Sequence, residues 1–145
     1  MNARSELLVT LTTLSDIESE SPPTVPLGSY FEGNSEEQSI APNQWGFGRP
    51  PISELYARFK QVEAHPQVQC VLVGLHFDWV EALEDDEVWP AAENIHIITS
   101  VAESEVASWI TGLASDGLYP GWPYGEHPLS PKPKRGYQVY SVCWD

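Results

Sequence analysis

Four adjacent carboxylates, Glu84, Asp85, Asp86 and Glu87, stand between Trp79 and Trp89, with Leu83 directly before them. Like charges at successive positions repel one another, so such a run is either a fully solvated loop or is held for a purpose. Aromatic side chains beside carboxylates suit a surface that receives a basic protein, through charge and cation–π contact. A second cluster, Glu32, Asn34 and Glu36 after Phe31, alternates its oxygens in the manner of the first half of a calcium loop. The second half fails, because Glu37 stands where an EF-hand needs Gly and Asn43 where it needs a bidentate Glu. A hydrogen-bonded turn with Gly33 or Asn34 at positive φ accounts for it better. The binding surface expected for a protein partner therefore comprises Phe31, Glu32, Asn34, Glu36, Glu37, Trp79, Glu84, Asp85, Asp86, Glu87 and Trp89.

Other chemistries find less support. His65, His76, His96 and His127 form no HxxxH or HxH spacing and have no cysteine pair beside them, so no metal is expected. His76 and His96 fall at the ends of two predicted strands, and Asp78 follows His76 by two residues; a His–Asp pair can serve as general base, but ordinary strand-end residues are the simpler reading. There is no GxSxG and no phosphate loop followed by Lys-Ser/Thr, and Gly46-Phe47-Gly48 runs into Arg-Pro-Pro with no strand before it. No catalytic residue and no cofactor is expected.

The chain has 145 residues, with 21 acidic and 7 basic side chains and a formal net charge of −14. No Lys or Arg occurs between Lys60 and Lys132. Such a field repels phosphate backbones, which excludes nucleic acid as a partner, and attracts basic proteins; the plain alternative is that acidity only keeps the protein in solution. No apolar run approaches the roughly 20 residues that a membrane helix needs. Met1–Ser15 carries no signal peptide and two cysteines make no disulfide framework, so Cys70 and Cys143 are read as buried thiols in a cytoplasmic protein. The functional expectation is a non-enzymatic acidic binding protein, an inhibitor, antidote or regulator of a basic protein. The alternative is a small-molecule binder or enzyme with a pocket between aromatic loops and the sheet.

The elements that must position these residues start from Val68–Phe77, whose two side-chain sets are both largely apolar. That pattern indicates a strand covered on both faces, at or near the middle of a sheet. Alternation also predicts strands over 6–13, 95–100 and 137–144. Ile52, Leu55, Phe59 and Val62 have helical spacing, with Pro51 before them and Pro66 just beyond, and predict a helix over 52–65. Ser100 with Glu103 reads as a capping box for a second helix over 102–114. Residues 15–26, 33–51, 78–93 and 118–136 read as long loops, several of them pinned by aromatics. The expected architecture is a single α+β domain over 1–145: a four-stranded, mainly antiparallel sheet with two helices on one face, in the ferredoxin-like β-α-β-β-α-β order. That order places the Val68 strand at an edge, against its apolar pattern. Leu8, Val71, Val73, Ile98, Tyr140, Val142 and Trp144 are assigned to the face away from the helices, covered either by the 118–136 loop or, by preference, by a homodimer.

Phe31-Glu32-Gly33-Asn34, then Ser39-Ile40 and Asn43, followed by an amphipathic helix and the Val71-Leu72-Val73 strand, resembles a group of small uncharacterised bacterial proteins with an FEGN-like loop. The resemblance continues through Trp89-Pro90, 95–100, Trp122 and the terminal Trp144-Asp145, with departures at Gln38 and Ala41. It implies an intact domain after Val25 and no activity.

Overall fold

A computed structural model describes residues 2–144; Asp145 of the terminal Trp-Asp pair lies outside the described residues. The chain opens on a helix, α1 (Ala3–Ser15), where period-two alternation predicts a strand. Asn2 caps it, its side chain accepting the Ser5 N–H at 2.8 Å, which satisfies one of the helix's orphan donors. Leu7 and Leu11, four residues apart, are buried at 2% and 0% exposure, whereas Val9 between them is 54% exposed. Leu7 and Leu11 fit either period, and the cap and the outward Val9 decide for the helix. Thr10 and Thr13 return their hydroxyls to the Glu6 and Val9 carbonyls, so their β-branched character does not prevent it.

The sheet has five strands in the order β1-β2-β3-β5-β4, all neighbours antiparallel. These are β1 (Thr24–Pro26), β2 (Val68–Leu75), β3 (Ala92–Thr99), β4 (Gly117–Pro120) and β5 (Gln138–Cys143). The α+β class and the antiparallel sheet stand; the four-strand count and the ferredoxin-like order do not, since the first predicted strand is α1. The two added strands are short, Pro-bearing edge strands, of the kind that escape alternation patterns. β2 is an inner strand, as its two apolar faces require, and not the edge that the ferredoxin-like order assigns.

One face of the sheet carries Val71, Val73, Ile95, Ile97, Tyr140 and Val142 into the main core. That core also takes Leu7 and Leu11 of α1, Leu27 and Phe31 of α2 (Leu27–Phe31), Leu55 and Phe59 of α3 (Ile52–Glu63), and Val106 of α4 (Glu103–Trp109). All four helices thus cover the same face. The expected α3 is present with Ile52, Leu55, Phe59 and Val62 buried. α4 is shorter than expected, and its N-cap is Ala102 rather than Ser100; Gly112 and Ala114 at positive φ end the helical path early.

The opposite face carries Leu72, Ile98 and Val139 in a smaller cluster with Cys70, Trp122 and Tyr137. Ile98 therefore belongs to this face; Val71, Val73, Tyr140 and Val142 lie on the helix-covered one with Trp144 in the same core, and Leu8, on α1, packs against that core. The chain's own 121–137 segment closes this smaller face. Ser141 Oγ donates to the Gly121 carbonyl at 2.7 Å, Gln69 bridges Lys132 O (2.9 Å) and Lys134 N (2.8 Å), and Thr24 meets Ser130 at 2.8 Å. Leu72 at 4%, Ile98 at 0% and Val139 at 7% exposure are buried within the single chain, under the loop cover that the sequence reading offered beside a homodimer. Cys70 on β2 and Cys143 on β5 are separated by β3 and are both free thiols.

Candidate functional site

The two clusters expected to bind a partner have different fates. Around Phe31–Glu37 the side chains of Glu32, Asn34, Glu36 and Glu37 each meet a neighbour. Tyr56 donates its hydroxyl to Glu32 at 3.0 Å. Asn34 Oδ1 accepts the Glu36 N–H at 2.9 Å while its amide donates to Ser39 Oγ at 2.9 Å. Glu36 accepts the Trp89 N–H at 2.7 Å. Glu37 accepts the Ile52 N–H at 3.0 Å, at the start of α3, and pairs with Arg49, whose side chain is fully buried. Gly33, at φ 78°, leaves no room for a side chain: a Cβ there would stand 2.9 Å from Cβ of Ala3. The oxygens of Glu32, Asn34 and Glu36 thus serve three separate partners rather than one point, and no group of three His, Cys, Asp or Glu that could hold a metal occurs among the described residues. Of the expected contact aromatics, Phe31, Trp79 and Trp89 are buried at 4%, 5% and 8% exposure. Phe31 is core, stacked on Tyr56 at 5.1 Å.

The acidic run is different. Residues Phe77–Leu83 form a 3-10 helix capped by His76, whose Nδ1 accepts the Asp78 N–H at 2.9 Å. The Arg4 guanidinium, from α1, donates to the carbonyls of Ala82 (2.6 Å), Asp85 (2.7 Å) and Val88 (2.9 Å). Asp85 also accepts the Glu87 N–H at 3.0 Å. The backbone is clamped, while Glu84, Asp85, Asp86 and Glu87 themselves are exposed. None of these four carboxylates pairs with Lys or Arg among the described residues.

Next to this run the sequence reading missed an apolar stripe. At three residues per turn, positions 77, 80 and 83 fall in one line along a 3-10 helix. Phe77, Val80 and Leu83 are 53%, 48% and 51% exposed, whereas Trp79 and Ala82 are buried. Ile17, 41% exposed just beyond α1, faces them across a groove of about 490 Å³. Trp79 and His127 also line this groove, and no Lys or Arg does. His127 is buried at the base, where its Nδ1 accepts the Leu129 N–H at 3.1 Å and a bond to the Leu14 backbone fastens the ring to the end of α1. Burial pushes its pKa down, which keeps the ring neutral.

The other histidines do not converge. His96 pairs across the sheet with Leu72, four residues before His76. His76 instead lies 3.5 Å from Asp78 and 3.8 Å from Glu93. His96 Nδ1 meets Ser141 Oγ at 2.6 Å. Because Ser141 donates its proton to Gly121 O, His96 is the donor in that contact. Ser141 is fully buried, and the Trp122 ring sits 4.7 Å from the imidazole centre. That arrangement latches the 121–137 segment to the sheet.

Among the described residues no helix is long and apolar enough to cross a membrane. No solved structure matches the chain. A protein of Escherichia coli (strain K12) described as "Uncharacterized protein YfbO" is 28% identical over 120 residues, covering 74% of this chain and 80% of its own. The family model described as the uncharacterized protein YfbO family matches residues 2–142. The expected likeness to a group of uncharacterised bacterial proteins is thereby met, and the chain belongs to the YfbO family.

Proposed function

We propose that the protein is a non-enzymatic, acidic cytoplasmic binding protein that occupies a basic protein partner as inhibitor, antidote or regulator. The observation that supports this reading is the run of four exposed, unpaired carboxylates, Glu84 to Glu87, on a backbone held rigid by Arg4. Fixed charges of one sign raise the encounter rate with an oppositely charged protein, and a clamped loop spends little entropy on binding. The contact surface is narrower than the composition suggested: Glu84, Asp85, Asp86 and Glu87 with the 3-10 helix before them. Glu32, Asn34, Glu36, Glu37 and Trp89 act behind it as supports, and the Phe31–Asn34 turn and Trp144 are read as framework marks of the bacterial group. Because the sheet face is already covered by residues 121–137, this function needs no second copy of the chain.

The test replaces Glu84, Asp85, Asp86 and Glu87 together by Ser. Removing mutual repulsion should leave folding stability unchanged or slightly raised, within about 0.5 kcal/mol. Association with a basic protein retained stoichiometrically by the wild type should slow by about tenfold or more at low salt, and the gap should shrink as salt rises. Equal association rates for the two proteins, flat with salt, would remove the basis for this function.

A further inference from the structure

We infer that the groove between Ile17 and the 3-10 helix Phe77–Leu83 receives the apolar face of a basic amphipathic helix of the partner, an inference that rests on the basic-partner reading above. Three half-exposed apolar side chains in line, Phe77, Val80 and Leu83, form a continuous ridge rather than scattered surface residues. The ridge is rigid before anything binds, since the buried Trp79 and Ala82 anchor the 3-10 helix in the core and Arg4 holds its end.

Charge selects the occupant. Asp78, Glu81 and Glu84 are exposed on the same segment, Glu18 lines the opposite wall, and no Lys or Arg lines the groove. A partner surface that is apolar in the middle and basic at its margins matches this on both counts. Backbone chemistry selects its secondary structure. The floor is a helix with its own bonds made, and the neighbouring wall carries Pro22 and Pro23, which have no N–H to offer. An extended segment laid here would leave its backbone groups unpaired, whereas a helix satisfies its own. The dimensions agree: a rise of about 2 Å per residue spaces the three ridge residues over about 12 Å, and helix anchors at i, i+4 and i+7 span about 10.5 Å.

The experiment uses two synthetic Lys-rich peptides of about 18 residues, long enough to hold helix. They have equal charge; one carries a Leu stripe at helical spacing, and the other has Gln at those positions. Affinities are measured by fluorescence anisotropy with the full-length protein at about 0.05 M and about 0.3 M salt. The Leu peptide should bind about tenfold more tightly, and that ratio should survive the higher salt while both affinities fall. Val80→Ser with Leu83→Ser should erase the ratio. If that double variant does not fold, Ile17→Ser on the facing wall is expected to shrink it. Equal binding of the two peptides overturns the inference and leaves the acidic-surface reading standing. A ratio unchanged in the variants overturns the assignment to this groove. Binding of neither peptide overturns both readings.

Discussion

Replacing Arg49 by Met tests whether the Phe31–Glu37 cluster is framework, because Met keeps the apolar volume of the stem and deletes the guanidinium alone. The Arg49 side chain has no exposed surface, while Glu37 retains 31%. Its guanidinium pairs with the Glu37 carboxylate and donates to the carbonyls of Glu37, Ile40 (2.7 Å) and Pro50 (3.0 Å). The same group lies 4.6 Å over the Trp45 ring. Removing one member of a buried pair costs about 3–5 kcal/mol when the other charge is stranded. Glu37 is not fully stranded, since it reaches water and keeps the Ile52 N–H, so the electrostatic part falls near the lower end. The Ile40 carbonyl, left in a residue of 0% exposure, adds a share of the roughly 1–3 kcal/mol that an unmade buried hydrogen bond costs. The expected loss is about 3–4 kcal/mol, a large part of the 5–15 kcal/mol typical of a whole domain. Urea unfolding followed by circular dichroism measures it, with thermal melting falling by about 10 °C. Glu37→Gln, which keeps an acceptor for Ile52 but leaves the fully buried Arg49 charge without its counter-ion, should cost about 3–5 kcal/mol. A loss under about 1 kcal/mol for Arg49→Met would mean that the cluster is not what holds residues 31–52, and its carboxylates would again be open to a binding role.

Two further outcomes are expected on the other sheet face. Burial holds His96 neutral, its pKa pushed down to about 3 from an ordinary 6.5, with Ser141, Asn94 and Trp122 around it and no carboxylate bonded to it. A depressed folded pKa means that the unfolded chain takes up the proton first. The His96 contribution is therefore complete above about pH 6.5 and is lost at about 1.4 kcal/mol per pH unit as the pH falls towards the folded value. Urea midpoints at about pH 7 and about pH 5 should differ more for the wild type than for His96→Gln; equal differences would contradict this account. Gly74→Ala would bring a Cβ to 2.5 Å from His96 Nε2 and 3.2 Å from its Cδ2. It should cost about 1–3 kcal/mol, most of it recovered in a cycle with His96→Ala; additive losses would show that the two residues do not press on each other.

The strands that sequence patterning recovers are those whose side chains meet a core on both faces. β2, β3 and β5 are of that kind, and Val71, Val73, Ile95 and Ile97 supply the β-branched spacing that favours strands there. α1 was misread because Leu7 and Leu11 satisfy periods of two and of four residues alike. The information that separates them is partly local, in Asn2 at the cap, and partly long-range, in Arg4, whose guanidinium is bonded to carbonyls 78 or more positions away. The acidic run was legible as exposed charge because four adjacent carboxylates have no other economical place. Phe77, Val80 and Leu83 were not legible, since Phe77 looks like the end of β2 and a spacing of three matches neither the strand nor the α-helix. Phe31–Glu37 failed in the opposite sense. Polar residues in a loop resemble a surface until long-range contacts, Glu36 with Trp89 and Glu37 with Arg49, show where they are spent.

These two sets of carboxylates explain how a chain of net charge −14 can confine its electrostatic strain. Where Glu36 and Glu37 approach the core, each negative charge is met by backbone N–H groups or by the buried Arg49. Charge there is part of the fold, and removing it strands a partner. Glu84 to Glu87 are exposed, apart from the local bond that Asp85 accepts from the Glu87 N–H, and Arg4 is directed at the carbonyls of this segment rather than at the carboxylates. Arg4 thus keeps the loop in place without neutralising it. A cation on the carboxylates would calm the repulsion as effectively and cost the surface its field. Holding the backbone while leaving the charge unmet preserves both the shape and the potential of the segment, immediately beside an apolar ridge that water solvates poorly. For solubility alone the same carboxylates would serve anywhere on the exterior. Their concentration on the one clamped segment that also bears Phe77, Val80 and Leu83 is what the recognition of a basic, partly apolar partner explains and solubility does not.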